Sequence, residues 1–120
     1  MLSRPFHHAA IPVGNSVLAG PNPTEGVGFV SPHIQLLSND TPISWSDPSP
    51  HLHLASDEMF VVLEGTVVFM VDGQEVAVSA GEFCGFPASV VHSVVRAEPP
   101  VKCFVIRAPA ILDKEYLSGA

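Results

Sequence analysis

Three turn pairs, Glu64–Gly65, Asp72–Gly73 and Ala80–Gly81, cut the middle of the chain into apolar runs of six residues: Glu58–Leu63, Thr66–Val71 and Gln74–Ser79. Runs this short are the length of strands and too short to present a helical face. Asp-Gly between two of them is a strong hairpin signal, because both residues accept the positive φ of a type I′ turn. Further apolar runs lie at Gly26–Val30 and His33–Leu37, and a pair at Val90–Arg96 and Val101–Ala108 flanks Glu98–Pro99–Pro100. Asn39–Pro50 reads as a loop around Trp45, and only Ile111–Leu117 has the pattern of a short helix. The 12 prolines and 9 glycines are scattered between the runs, which favours turns over long helices. Many short strands at turn spacing predict an all-β sandwich or barrel.

The 120 residues fit a single domain, divided into an N-terminal arm over 1–25, a β-barrel core over 26–108 and a C-terminal tail over 109–120. With 47% hydrophobic and 14% charged residues, the chain can bury a core without staples. In Thr66–Val71, Val67 to Val71 are all apolar, so both faces of that strand need cover. One face fills the barrel, and the other meets a second sheet layer, the arm or another subunit. A homodimer is therefore expected.

The formal net charge of −7 comes without any basic cluster, which argues against nucleic acid and anionic membranes as partners. No stretch approaches the length of a membrane span, and Met1 to Ala10 lack the apolar region of a secretory signal. Cys84 and Cys103 match no metal or redox spacing and read as buried, reduced core residues. These features suit a cytoplasmic protein.

His51 and His53 lie two apart, so on an extended strand both rings point to one side, roughly 6.6 Å apart along the backbone. Glu58 follows after four residues, room for a bend that returns a carboxylate to the same place. His92 comes from a distant strand. Three imidazoles and one carboxylate form a donor set suited to a single divalent transition metal: Fe, Mn, Ni, Zn or Co. His7, His8 and His33 have no matched partners. Glu64 reads as surface, and Asp57 points away from Glu58 on a regular strand.

The run HLHLASDEMFVVLEG, from His51 to Gly65, resembles the first motif of the cupin superfamily: His-x-His, four residues, Glu, six residues, Gly. GEFCGFPASVVH, from Gly81 to His92, resembles the second: Gly, five residues, Pro, then His five further on. The fifteen residues between Gly65 and Gly81 are similar to the spacing of small single-domain bacterial members. The resemblance implies a double-stranded β-helix, or jelly-roll barrel, with His51, His53, Glu58 and His92 as metal ligands and Glu58 as the catalytic candidate among them. Three positions depart from the pattern. Trp45 and Ser89 stand where glycines are expected, which alters loop geometry, and Arg96 stands where Asn is expected.

Strand alternation places Phe60 and Val62 on the face of Glu58, and Val94 and Arg96 on the face of His92, so these four are expected to line the substrate cavity with Trp45 at its mouth. The other reading of Arg96 is a side chain that reaches outward and pairs with Asp or Glu at the surface. Neutral imidazoles, one carboxylate and a divalent cation leave about +1 at the site, which favours a small anionic or enolisable organic substrate. The resemblance implies dioxygenase-type chemistry. Its alternatives are a redox-inert isomerase, cyclase or lyase, and a non-catalytic metal- or ligand-binding sensor module.

Overall fold

The computed structural model describes residues 6–117, folded as nine strands with no helix among the described residues. In chain order they are β1 (Ser16–Gly20), β2 (Phe29–Val30), β3 (Gln35–Thr41), β4 (Asp47–His53), β5 (Asp57–Val71), β6 (Gln74–Ser79), β7 (Phe83–Phe86), β8 (His92–Ala108) and β9 (Lys114–Tyr116). Two pairs of expected strands are fused. The runs either side of Gly65 form the 15-residue β5, and those either side of Glu98–Pro99–Pro100 form the 17-residue β8.

Each long strand serves two sheets. The C-terminal half of β8 pairs with β3 on one side and with the N-terminal half of β5 on the other, and that half of β5 also pairs with β7. β1 and β2 extend this sheet beyond β3. The N-terminal half of β8 pairs with β4 and with the C-terminal half of β5, and the sheet continues to β9 beyond β4 and to β6 beyond β5. The result is the all-β, double-stranded β-helix expected from the motifs.

The change of sheet takes place at Gly65, which adopts φ 78° opposite the Glu98–Val101 corner. A Cβ there would lie 2.3 Å from the Pro100 carbonyl oxygen. Glycine is required both for the left-handed backbone and for the close approach. Asp72 and Gly73 both have positive φ, as the hairpin reading requires.

The core lies between the sheets and includes Phe60, Val62, Val67, Phe69, Phe86, Val101 and Val105, with Phe60, Phe69 and Phe86 meeting as tilted and edge-to-face pairs. Val67, Val68 and Phe69 are 0%, 3% and 0% exposed within one chain. The two-sided apolar run is thus satisfied without a second subunit.

Both termini contribute strands. Part of the arm, Ser16–Gly20, is a strand hydrogen-bonded to β3. The segment that could at most have been a short helix contains β9, because its backbone groups find partners on the free edge of β4: His51 opposite Tyr116 and His53 opposite Lys114. Met1–Pro5 and the last three residues of the tail lie outside the described residues.

Candidate metal centre

β4 delivers His51 and His53, β5 delivers Glu58 at its start, and β8 delivers His92 at its start. Val71, at the far end of β5, pairs with His92, so the fold-back at Gly65 brings both ends of β5 to one place. One donor atom from each of His51, His53, Glu58 and His92 lies within 4.8 Å of every other, so these four side chains could hold a metal ion. Glu58 Oε1 is 2.8 Å from His92 Nε2, and Oε2 is 3.4 Å from His53 Nε2.

The outer nitrogen of every ring is engaged. His51 Nδ1 donates to the Ser49 carbonyl and His92 Nδ1 to the Val90 carbonyl, both at 3.0 Å. His53 Nδ1 donates to Asp113 Oδ1, also at 3.0 Å. An imidazole that donates from Nδ1 leaves the Nε2 lone pair for a cation, and outer partners of this kind fix ring orientation in metal sites. Phe86 holds the His92 ring as well, stacked 3.9 Å away at an interplanar angle of 3°.

Charge states suit the same use. Burial holds the His51 imidazole below its ordinary value, which favours the neutral form a ligand needs. Burial alone would raise the Glu58 carboxyl. The hydrogen bond from His92 and the surrounding imidazoles outweigh it and hold Glu58 below the ordinary value, hence ionised. Asp113 behaves alike: burial opposes its charge, but hydrogen bonds from Ala55, Ser56 and His53 hold its carboxyl well below the carboxylate range.

The four side chains open into a cavity of about 440 Å³, within the range of small-molecule sites. Leu37, Trp45, Phe60, Val94, Val105, Ile111 and Leu112 give it apolar walls, and Gln35, Asn39, Asp47, Arg107, Asp113 and Lys114 add polar groups. Lys114 pairs with Asp47 at 3.2 Å and lies over the Tyr116 ring. Of the expected substrate-lining residues, Trp45, Phe60 and Val94 face this cavity.

Val62 and Arg96 do not. Val62 is fully buried in the core below Phe60. Arg96 is exposed and pairs with Glu98 and Glu75, both at 3.1 Å. The cause is a bulge. Phe69 pairs with Val94 but Val68 with Arg96, so Val95 is an extra residue on β8. That one-residue insertion reverses the alternation, turning Arg96 outward and Ala97 into the core. At Ser89, where the motif expects glycine, the backbone adopts the left-handed conformation that glycine favours, with φ 75°.

Sequence reasoning missed Asp113, Arg107, Lys114 and Phe86. Asp113 and Lys114 reach the site only because β9 pairs with β4. The available signal was limited to an Asp directly after the apolar pair Ile111–Leu112 in the C-terminal tail.

The cupin domain profile matches residues 42–107, more than half of the chain. A search of curated proteins returns no match. Among solved structures, Pac13 of Streptomyces, a nucleoside dehydratase also solved with uridine, aligns with TM-score 0.61 at 16% identity, over 75% of this chain and 72% of its own. The DMSP lyase DddQ of Ruegeria pomeroyi aligns with TM-score 0.64 at 19% identity, over 85% and 50%. A salicylate 1,2-dioxygenase of Pseudaminobacter salicylatoxidans aligns with TM-score 0.60 at 16% identity, over 76% and 27%. At these identities the likeness concerns the fold alone. The motif spacing, the two-sheet barrel and the profile match agree: the chain belongs to the cupin domain family.

Proposed function

We propose that this cupin is a metal-dependent enzyme acting on a small anionic or enolisable organic substrate, with dioxygenase-type chemistry at one divalent ion held by His51, His53, Glu58 and His92. The observation that carries the reading is the set of three Nε2 atoms, each turned inward by an engaged Nδ1 and gathered around the Glu58 carboxylate at an open cavity. A metal bound there supplies Lewis-acid polarisation of a substrate oxygen and, where it is iron, reactivity toward dioxygen. The chain does the rest. Glu58 lowers the site charge to about +1, which favours an anion. Trp45, Phe60 and Val94 restrict water around the substrate, and Lys114 adds a cation to the cavity wall.

The redox-inert alternative finds support in the dehydratase and the lyase among the similar structures. Two measurements separate the readings: metal content of protein purified without a chelating tag, and oxygen uptake by iron-loaded protein with enediols, β-dicarbonyls and hydroxy acids. One iron per chain and uptake are expected. Turnover by zinc-loaded protein without oxygen uptake would establish the redox-inert reading, and protein that binds no metal would overturn both.

The proposal extends to a homodimer. Its support is the outer face of β5 and β7, where Met59, Leu63 and Phe83 are exposed and Val61 pairs with Phe83. Sedimentation showing only monomer at micromolar concentration would refute it.

A further inference from the structure

His51 and His92 are oriented by main-chain carbonyls, which accept hydrogen bonds whatever the side chains around them. Of the three Nδ1 partners only that of His53 is a side chain, Asp113, from a segment 60 residues away. Asp113 is buried, and both of its oxygens are committed. Oδ1 accepts from His53 Nδ1 at 3.0 Å, with Arg107 Nη1 3.4 Å away, while Oδ2 accepts the backbone N–H groups of Ala55 at 2.9 Å and Ser56 at 2.7 Å. The Asp113 carbonyl accepts in turn from Leu54 N at 3.0 Å, and β9 pairs with β4 directly afterwards.

We propose that Asp113 is a positioning residue that sets the tautomer of His53. The inference rests on the metal reading above. Two backbone N–H groups require an acceptor at the Oδ2 position, and an ionised carboxylate then presents a second acceptor to His53. The ring proton goes to Nδ1, and Nε2 faces Glu58 and the site with a free lone pair. The His53 Nε2 contact to Glu58 Oε2, at 3.4 Å, is longer than the contact to Asp113 and competes weakly for the proton.

Asp113→Asn tests this because it keeps the shape of the side chain while removing the charge that faces Arg107 and changing the pattern of donors. The amide oxygen is drawn to the two backbone N–H groups, since the opposite flip would set an NH2 against both of them. Its NH2 then faces His53 Nδ1, which must accept. The proton moves to Nε2, the atom that would bind the metal.

The experiment has two readouts. Long-range ¹H–¹⁵N spectra of the histidine rings, in metal-free protein at about pH 8 where imidazoles are neutral, report the tautomer. Competition against a chromophoric chelator reports Zn²⁺ and Co²⁺ affinity. The wild type is expected to hold His53 as the Nδ1–H tautomer, and Asp113→Asn to convert it to Nε2–H and weaken metal binding roughly ten- to a hundredfold. Folded Asp113→Asn protein with wild-type affinity and an unchanged tautomer would overturn the proposal. So would a wild-type spectrum with His53 protonated at Nε2, and that spectrum decides the matter if the variant does not fold. Failure of the wild type to bind metal would overturn the metal reading and leave the tautomer result standing.

Discussion

Gly65→Ala should destabilise the barrel by two separable effects. The first is conformational: an L-residue held in the left-handed region costs about 1–2 kcal/mol. The second is steric. The added methyl would meet the Pro100 carbonyl oxygen at 2.3 Å, the Glu98 carbonyl oxygen at 2.9 Å and Val101 Cγ2 at 3.0 Å, and backbone atoms in a corner cannot step aside as a flexible side chain would. Overpacking of this kind costs about 1–3 kcal/mol, for a sum of about 2–5. At about 2.1 cal/mol/K per residue, unfolding a chain of this length carries an entropy of about 250 cal/mol/K, so Tm should fall by about 8–20 °C. Gly73→Ala isolates the first effect, because Gly73 has φ 75° and nothing within 4 Å of the position its Cβ would take. It should cost about 1–2 kcal/mol, or about 4–8 °C. Thermal unfolding of both variants in metal-free protein, followed by circular dichroism, measures the difference. Equal losses would refute the argument that Gly65 is needed for the close approach at the corner.

Other predictions follow from the site and its surroundings. Saturating metal at a hundred times its dissociation constant adds about 2.7 kcal/mol, so a chelator should lower Tm by about 10 °C in the wild type and by little in His92→Ala. Glu58 and Asp113 are both held below their ordinary values of 4.5 and 3.8, so their contribution is complete above those values and is lost as pH falls through the lower folded ones. The denaturant midpoint of metal-free protein should therefore drop on acidification below about pH 4.5, and Glu58→Gln should flatten that dependence. Arg96→Ala should leave metal binding and the affinity for an anionic ligand unchanged by calorimetry. A loss of ligand affinity would contradict the outward placement imposed by the bulge at Val95.

What could be read in the sequence was governed by short-range geometry. His51 and His53 share a face because strands alternate, and the positive-φ pair Asp72–Gly73 announces its own hairpin. The motif intervals that set Glu58 and His92 beside them also hold in the folded chain. Of the two readings of Arg96 the outward one holds, because alternation carries only as far as the next bulge, and a bulge at Val95 is decided by how β5 and β8 register across the corner. Asp113 and β9 went unnoticed for a related reason. Ile111–Leu117 has the spacing of a small amphipathic helix, but the unpaired edge of β4 offers its backbone a ladder, and tertiary pairing overrides a weak local preference. Val62 was placed on the correct face but at the wrong depth, which strand period alone does not report.

The passage of β5 and β8 through both sheets also determines how such a barrel can move. Two sheets joined only by loops can part along their packed faces like the halves of a shell. Here the same two backbones cross from one sheet to the other, hydrogen-bonded to each other on both sides of the corner. Parting the sheets would mean breaking the most extensive ladder in the fold, so opening of that kind belongs to global unfolding rather than to native breathing. Ligand traffic must then be handled at the rim, where Leu112 stands fully exposed and Ile111 half-exposed beside the cavity. Amide exchange should reflect this division, slowest along β5 and β8 and faster at the exposed Leu112 on the rim.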